Sequence, residues 1–330
     1  MRRYSWLLGL ILINIIVGFI IGIIQLPSTS NQPVGVGTKA PVVSPKATAP
    51  VKSTTPAKAK APAKSTAPPR SIVPAKATVP SALVTVIEEP GTDAAFIADV
   101  QEAVNDFNAM LSEKIGLALT RNARLYICPT QEKYAYILEH ELKQDHATAE
   151  EHARLSSGYS GGRVQTVAIN GSNRLMKSKH KRAFITAHEL FHQVQYQVAG
   201  STTKDNIYWL MEGSADLVGA LASERLGGQS IDQWKEERVK VLRRNSHVSV
   251  QKAFHIDRDE WWRLVEQKQY PYEVADLMVL LLVQRSGYEA IGEYFRLLGK
   301  SVDAKTAFRR VFGINESQFL EEFEGKFPGI

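Results

Sequence analysis

Apolar residues alternate in short runs early in the folded part of this chain and recur at three- and four-residue steps later. Alternation marks a strand with one buried face, and the longer period marks a helix with one buried stripe. Residues 83–87 (LVTVI) predict a first strand, and residues 93–114 an amphipathic helix with Phe96, Val100, Val104 and Phe107 on one face. Residues 117–128 predict one strand or a hairpin that stops before Pro129, and residues 131–155 a second long helix, rich in charge. The Gly/Ser-rich stretch 156–162 reads as a flexible loop, and 163–170 as a short strand.

From residue 181 the helical period takes over. Phe184, Ala187, Phe191, Val194 and Val198 set one stripe of a helix over 181–198 into the core. A helix over 207–226 ends at Gly227-Gly228, and residues 232–244 begin another. The stretch 272–285 and the segments around Tyr294, Ala307 and Phe319 predict a helical lobe. The expected class is α+β, one domain over 81–330 with two lobes.

The first 80 residues follow another pattern. Residues 6–26 are apolar except for Asn14 and Gln25, long enough to cross a bilayer as a helix, and Arg2 and Arg3 precede them. Residues 1–4 are therefore expected in the cytoplasm, 5–26 as a single-pass signal anchor in the cell membrane, and the rest outside it. Cleavage as a signal peptide, giving a secreted protein, is the rival reading, although no Ala-x-Ala-like site follows. Residues 27–80 are Pro, Ala, Thr, Ser, Val and Lys with no acidic residue, the composition of a disordered linker. Such a basic stalk solubilises the domain or lies on anionic cell-wall polymer or lipid headgroups.

This tail dominates the charge balance. Residues 1–80 carry ten of the 40 basic residues and none of the 34 acidic ones, so the folded part is mildly acidic. The net charge of +6 thus gives no support for nucleic-acid binding. The lone Cys128 excludes an internal disulfide, and at the end of a predicted strand it reads as a buried thiol. His140, His146 and His152, six apart, share no helix face and read as surface residues.

The chemistry lies in His188-Glu189-Leu190-Phe191-His192. Two histidines four apart on a helix can grip one zinc ion (Zn2+), with Glu189 turned beside the metal to work on a water. Glu212, twenty residues after His192, can supply the third ligand of a catalytic site whose fourth position stays open. Asp216, one turn after Glu212, can accept a hydrogen bond from the outer nitrogen of His188.

With Glu212-Gly213-x-Ala215-Asp216 following the first motif, the chain resembles the gluzincin zinc metallopeptidases of the thermolysin-like clan, in particular the bacterial peptidase MA-like family. The resemblance spans roughly residues 155–327 and extends to Tyr272-Glu273-Val274-Ala275 through Gly287 and to Phe312-Gly313. It implies a two-lobed metallopeptidase fold, a small mixed sheet with active-site helices followed by a helical lobe, acting on a peptide or protein. It implies that residues 164–169 form an edge strand on which extended substrate lies, the other reading being an ordinary core strand. It also offers Tyr272 as oxyanion donor, against Tyr270, His247 and His255 or a purely structural Tyr272. Two other functions stay open: a zinc-containing surface-binding module with little catalysis, and a zinc hydrolase of non-peptide amides.

Overall fold

The computed structural model describes residues 83–200 and 207–330. The apolar run 5–26 and the basic linker 27–80 lie outside the described residues. The described chain is α+β, with a small four-stranded mixed sheet and a majority of helix.

Strand β1 (Val84–Glu88) leads into α1 (Ala94–Lys114), which Asp93 caps by accepting from the Phe96 amide. β2 (Ala123–Cys128) pairs parallel with β1. Residues 117–122 form no strand: the amides of Thr120 and Arg121 donate to the side chain of Gln197 instead.

The long helix expected over 131–155 is two helices, α2 (Gln131–His140) and α3 (His146–Leu155). Lys143 adopts a positive φ of 62° and Asp145 caps α3, so the chain turns where charge alone suggested continuity. The fold of α3 buries His152, expected at the surface, while His140 and His146 are exposed.

The expected loop at 156–162 contains strand β3 (Gly158–Gly161), entirely buried. It pairs antiparallel with β4 (Thr166–Asn170), which also pairs parallel with β2. The order β1-β2-β4-β3 makes β4 internal and β3 terminal, so residues 164–169 do not provide the edge. The glycines that suggested flexibility reflect close packing. A Cβ on Gly158 would lie 2.7 Å from Glu189 Oε1 and 2.9 Å from Ile185 Cγ2.

Helix α4 (Lys179–Ala199) begins at the Ser178 cap and packs against β3, α1 and α5 (Tyr208–Arg225). α5 is buried from Trp209 to Ser223 on every face, as a central helix is, with Glu212 and Asp216 among its buried residues. It lies against α9 (Pro271–Ser286), which starts with proline at its first turn. A Cβ on Gly213 would approach Ala275 O of α9 to 2.8 Å, so this glycine sets the α5–α9 contact.

α6 (Ile231–Arg244) opens with a capping box from Ser230 and Gln233 and packs on α9. Two short helices absent from the sequence expectation follow, α7 (Val250–His255) and α8 (Arg258–Glu266). α10 (Glu289–Gly299), α11 (Ala304–Phe312) and α12 (Glu316–Lys326) complete the helical part. Its core includes Trp209 stacked on Phe319 with ring centroids 5.5 Å apart, edged by Phe308. Among the described residues no helix is long and apolar enough to cross a membrane.

Candidate metal centre

Helical spacing on α4 brings His188 and His192 together, and the neighbouring α5 carries Glu212 to them. All three side chains are fully buried and form a group that can hold a metal ion. The two Nε2 atoms are 2.9 Å apart, and Glu212 Oε2 lies 3.8 Å from that of His188 and 3.7 Å from that of His192. The point equidistant from these three atoms lies about 2.0 Å from each, the length of a zinc–nitrogen or zinc–carboxylate bond.

The outer nitrogens fix which lone pairs face inward. His188 Nδ1 lies 2.7 Å from Asp216 Oδ1, and His192 Nδ1 lies 2.7 Å from Gln195 Oε1. The amide nitrogen of Gln195 donates to Met211 O and Ser214 Oγ, which leaves its oxygen as the acceptor toward His192. Both rings therefore carry the proton on Nδ1 and turn an Nε2 lone pair toward Glu212. A hydrogen bond between the Nε2 atoms would need one ring charged, and burial together with His188 pushes the His192 pKa well below its usual value. Two lone pairs and a carboxylate converging in a buried interior are mutually repulsive unless a proton or a metal ion joins them.

The surrounding charge has the same sense. Both oxygens of Glu189 and both of Glu212 are buried without a hydrogen-bond partner. Burial, then Glu212 and Asp216, raise the Glu189 pKa well above the carboxylate range. Burial and then Asp216 raise that of Glu212, while Tyr208, Tyr272 and Arg258 pull it down. Behind Asp216, Arg238 donates to Asp276 at 2.7 Å. Burial opposes the charge on Arg238, but Asp276, Glu273 and Asp216 outweigh it and hold it protonated.

Tyr272 is buried, with its ring edge-on to Trp261 at 5.0 Å between centroids, and burial followed by Glu212 keeps its phenol protonated. Tyr208 occupies the same neighbourhood, one turn before Glu212 on α5, and its hydroxyl is buried without a partner. The competitors for Tyr272 lie elsewhere. His255 is exposed and pairs with Glu316 at 2.6 Å, His247 bonds the Val248 carbonyl, and Tyr270 occupies a left-handed position before α9.

Tyr208, Gln195 and Arg258 were not singled out in the sequence. Tyr208 stands at i−4 from Glu212 and Gln195 at i+3 from His192, so helical spacing marks both. Arg258 has no such relation to the motif and is found only through the fold. Comparison with protein-family models, curated proteins and solved structures gives no match for this chain.

Proposed function

We propose that the chain is a zinc metallopeptidase hydrolysing peptide bonds, with His188, His192 and Glu212 as the metal ligands. The observation that carries this reading is the inward triangle of two Nε2 lone pairs and one carboxylate, with Glu189 beside it and unpartnered. A purely binding zinc domain has no use for that free carboxylate. A zinc ion on these ligands supplies electrophilic activation of a water and of the scissile carbonyl. Glu189 takes a proton from the attacking water and delivers it to the leaving amine nitrogen. Tyr272, protonated and beside Glu212, donates to the developing oxyanion, with Tyr208 as the other phenol in reach. Asp216 and Gln195 hold the two imidazoles in the tautomer that binds metal.

The substrate lies extended along β3, the terminal strand that passes Glu189 at Gly158. Main-chain hydrogen bonds to such an edge hold a peptide with little regard for its sequence. In this reading α4 and α5, which carry the ligands and pack extensively on each other, stay together as the floor of the cleft. Since the ligands are fully buried, elements that cover the site without carrying a ligand move to admit substrate. The segments at 5–26 and 27–80 tether the domain outside the cytoplasmic membrane.

Digestion of a diverse peptide mixture by the zinc-loaded chain tests the proposal, with Glu189→Gln beside it and new amino termini read by mass spectrometry. Cuts that vanish in the variant support it. Zinc-dependent hydrolysis confined to amides that yield no new peptide amino terminus would assign the chain to another class of hydrolase.

A further inference from the structure

Arg258, the first residue of α8, is a half-buried cation without a counter-ion. Its Nε is buried and lacks an acceptor, and among the described residues it has no carboxylate partner. Of the acidic residues beside it, Asp259 is exposed and the other two have partners of their own. Asp257 caps α8 by accepting from the Glu260 amide, and Glu260 pairs with Lys252 at 2.7 Å and with Arg263. A half-buried guanidinium without a counter-ion favours a bound carboxylate, which it can meet with two parallel hydrogen bonds.

The packing of α8 shows where that anion would sit. Trp261 and Trp262 follow Arg258 by three and four residues and so share its face of the helix. Trp261 meets Tyr208 at 5.3 Å and Tyr272 at 5.0 Å, the two phenols that act on Glu212. Trp262 meets His152 at 5.8 Å, and His152 stacks on Tyr159 of β3 at 5.4 Å. Arg258 thus stands between the metal ligands and the edge strand, and its charge is felt at Glu212, Tyr208, Tyr196 and His152.

We propose that Arg258 receives a carboxylate of the substrate, so that the chain selects peptides with a carboxylate beside the scissile bond. That carboxylate belongs either to the peptide C-terminus or to an aspartate or glutamate side chain; both offer the paired oxygens that a guanidinium binds with two parallel hydrogen bonds. The inference deepens the peptidase reading and rests on it.

Binding to the zinc-loaded 330-residue chain carrying Glu189→Gln, read by tryptophan fluorescence, tests it without turnover. The probes are one neutral peptide with a free or an amidated C-terminus, and the amidated peptide with an internal Glu or Gln. The carboxylate member of at least one pair binds about tenfold tighter or more. Adding Arg258→Gln brings that ratio to about one, and Arg258→Lys restores part of it. The responding pair identifies the source of the carboxylate. Equal binding within both pairs, a preference that survives Arg258→Gln, or no binding of any peptide would overturn the assignment. Carboxylate-selective binding without cleavage by the unsubstituted chain would instead sink the peptidase reading alone, and cleavage without selectivity would sink the Arg258 role alone.

Discussion

Gln195 acts on the candidate metal centre without facing it. Its oxygen accepts from His192 Nδ1 while its nitrogen is held by Met211 O and Ser214 Oγ, so it orients one ligand as Asp216 orients the other. Replacing Asp216 by Asn or Gln195 by Leu should each weaken zinc binding by about 10- to 100-fold, measured by competition with a chromophoric chelator. Unchanged affinity in both would mean that the rings are held by packing alone. Cys128 is the opposite kind of residue. Burial pushes its thiol up to about 12, so at pH 8 it is protonated. Iodoacetamide should leave it unmodified in the native chain and label it fully after unfolding; rapid native labelling would refute the buried placement. At this scale the His188–His192 pair was legible because a helix converts spacing into proximity. Arg258 was not, because nothing in its neighbours' spacing ties it to a motif 66 residues earlier.

Helix ends were readable where glycine punctuates them, as at Gly227, while the Ser178 and Ser230 caps came to light only with the fold. The errors have one physical origin: a residue type that serves two purposes. Gly158 looked like a hinge, yet it is small because Glu189 and Ile185 crowd it, and the strand it belongs to is the sheet edge. Residues 164–169 were expected at the edge through the resemblance alone, but β4 pairs on both sides. Gly213 raises the same ambiguity inside α5, where glycine costs about 1 kcal/mol relative to alanine in a free helix. Its position against Ala275 O reverses the expected gain. Gly213→Ala should destabilise the chain by about 1–3 kcal/mol in urea unfolding, through overpacking against α9. A more stable variant would show that the α5–α9 contact is looser than described.

Buried charge shapes the behaviour of the whole molecule. Burial first, then the charge of Arg258, holds His152 down to about 4 in the folded chain, against a usual value of 6.5. As pH falls through 6.5 the unfolded chain takes up a proton that the folded chain refuses until about 4, so stability declines across this window and levels off below it. His152→Gln should therefore lose less stability than the unsubstituted chain between pH 7 and pH 4.5, compared by urea midpoints; parallel decline would place the neutral histidine elsewhere. The overall α+β class was legible, because the change from alternating to helical period survives any detail of register. The place of α8 beside Tyr208 and His152 was not, since its contacts join residues far apart in sequence. The measurement that bears most directly on the central claim sets turnover against bound zinc in the unsubstituted chain, Glu189→Gln and Glu212→Gln. The account predicts one zinc per chain in the first two and a large loss of affinity in the third, with peptide cleavage in the first alone and a fall of about 10²–10⁴ in Glu189→Gln. Full cleavage by Glu189→Gln, or undiminished zinc binding by Glu212→Gln, would contradict it.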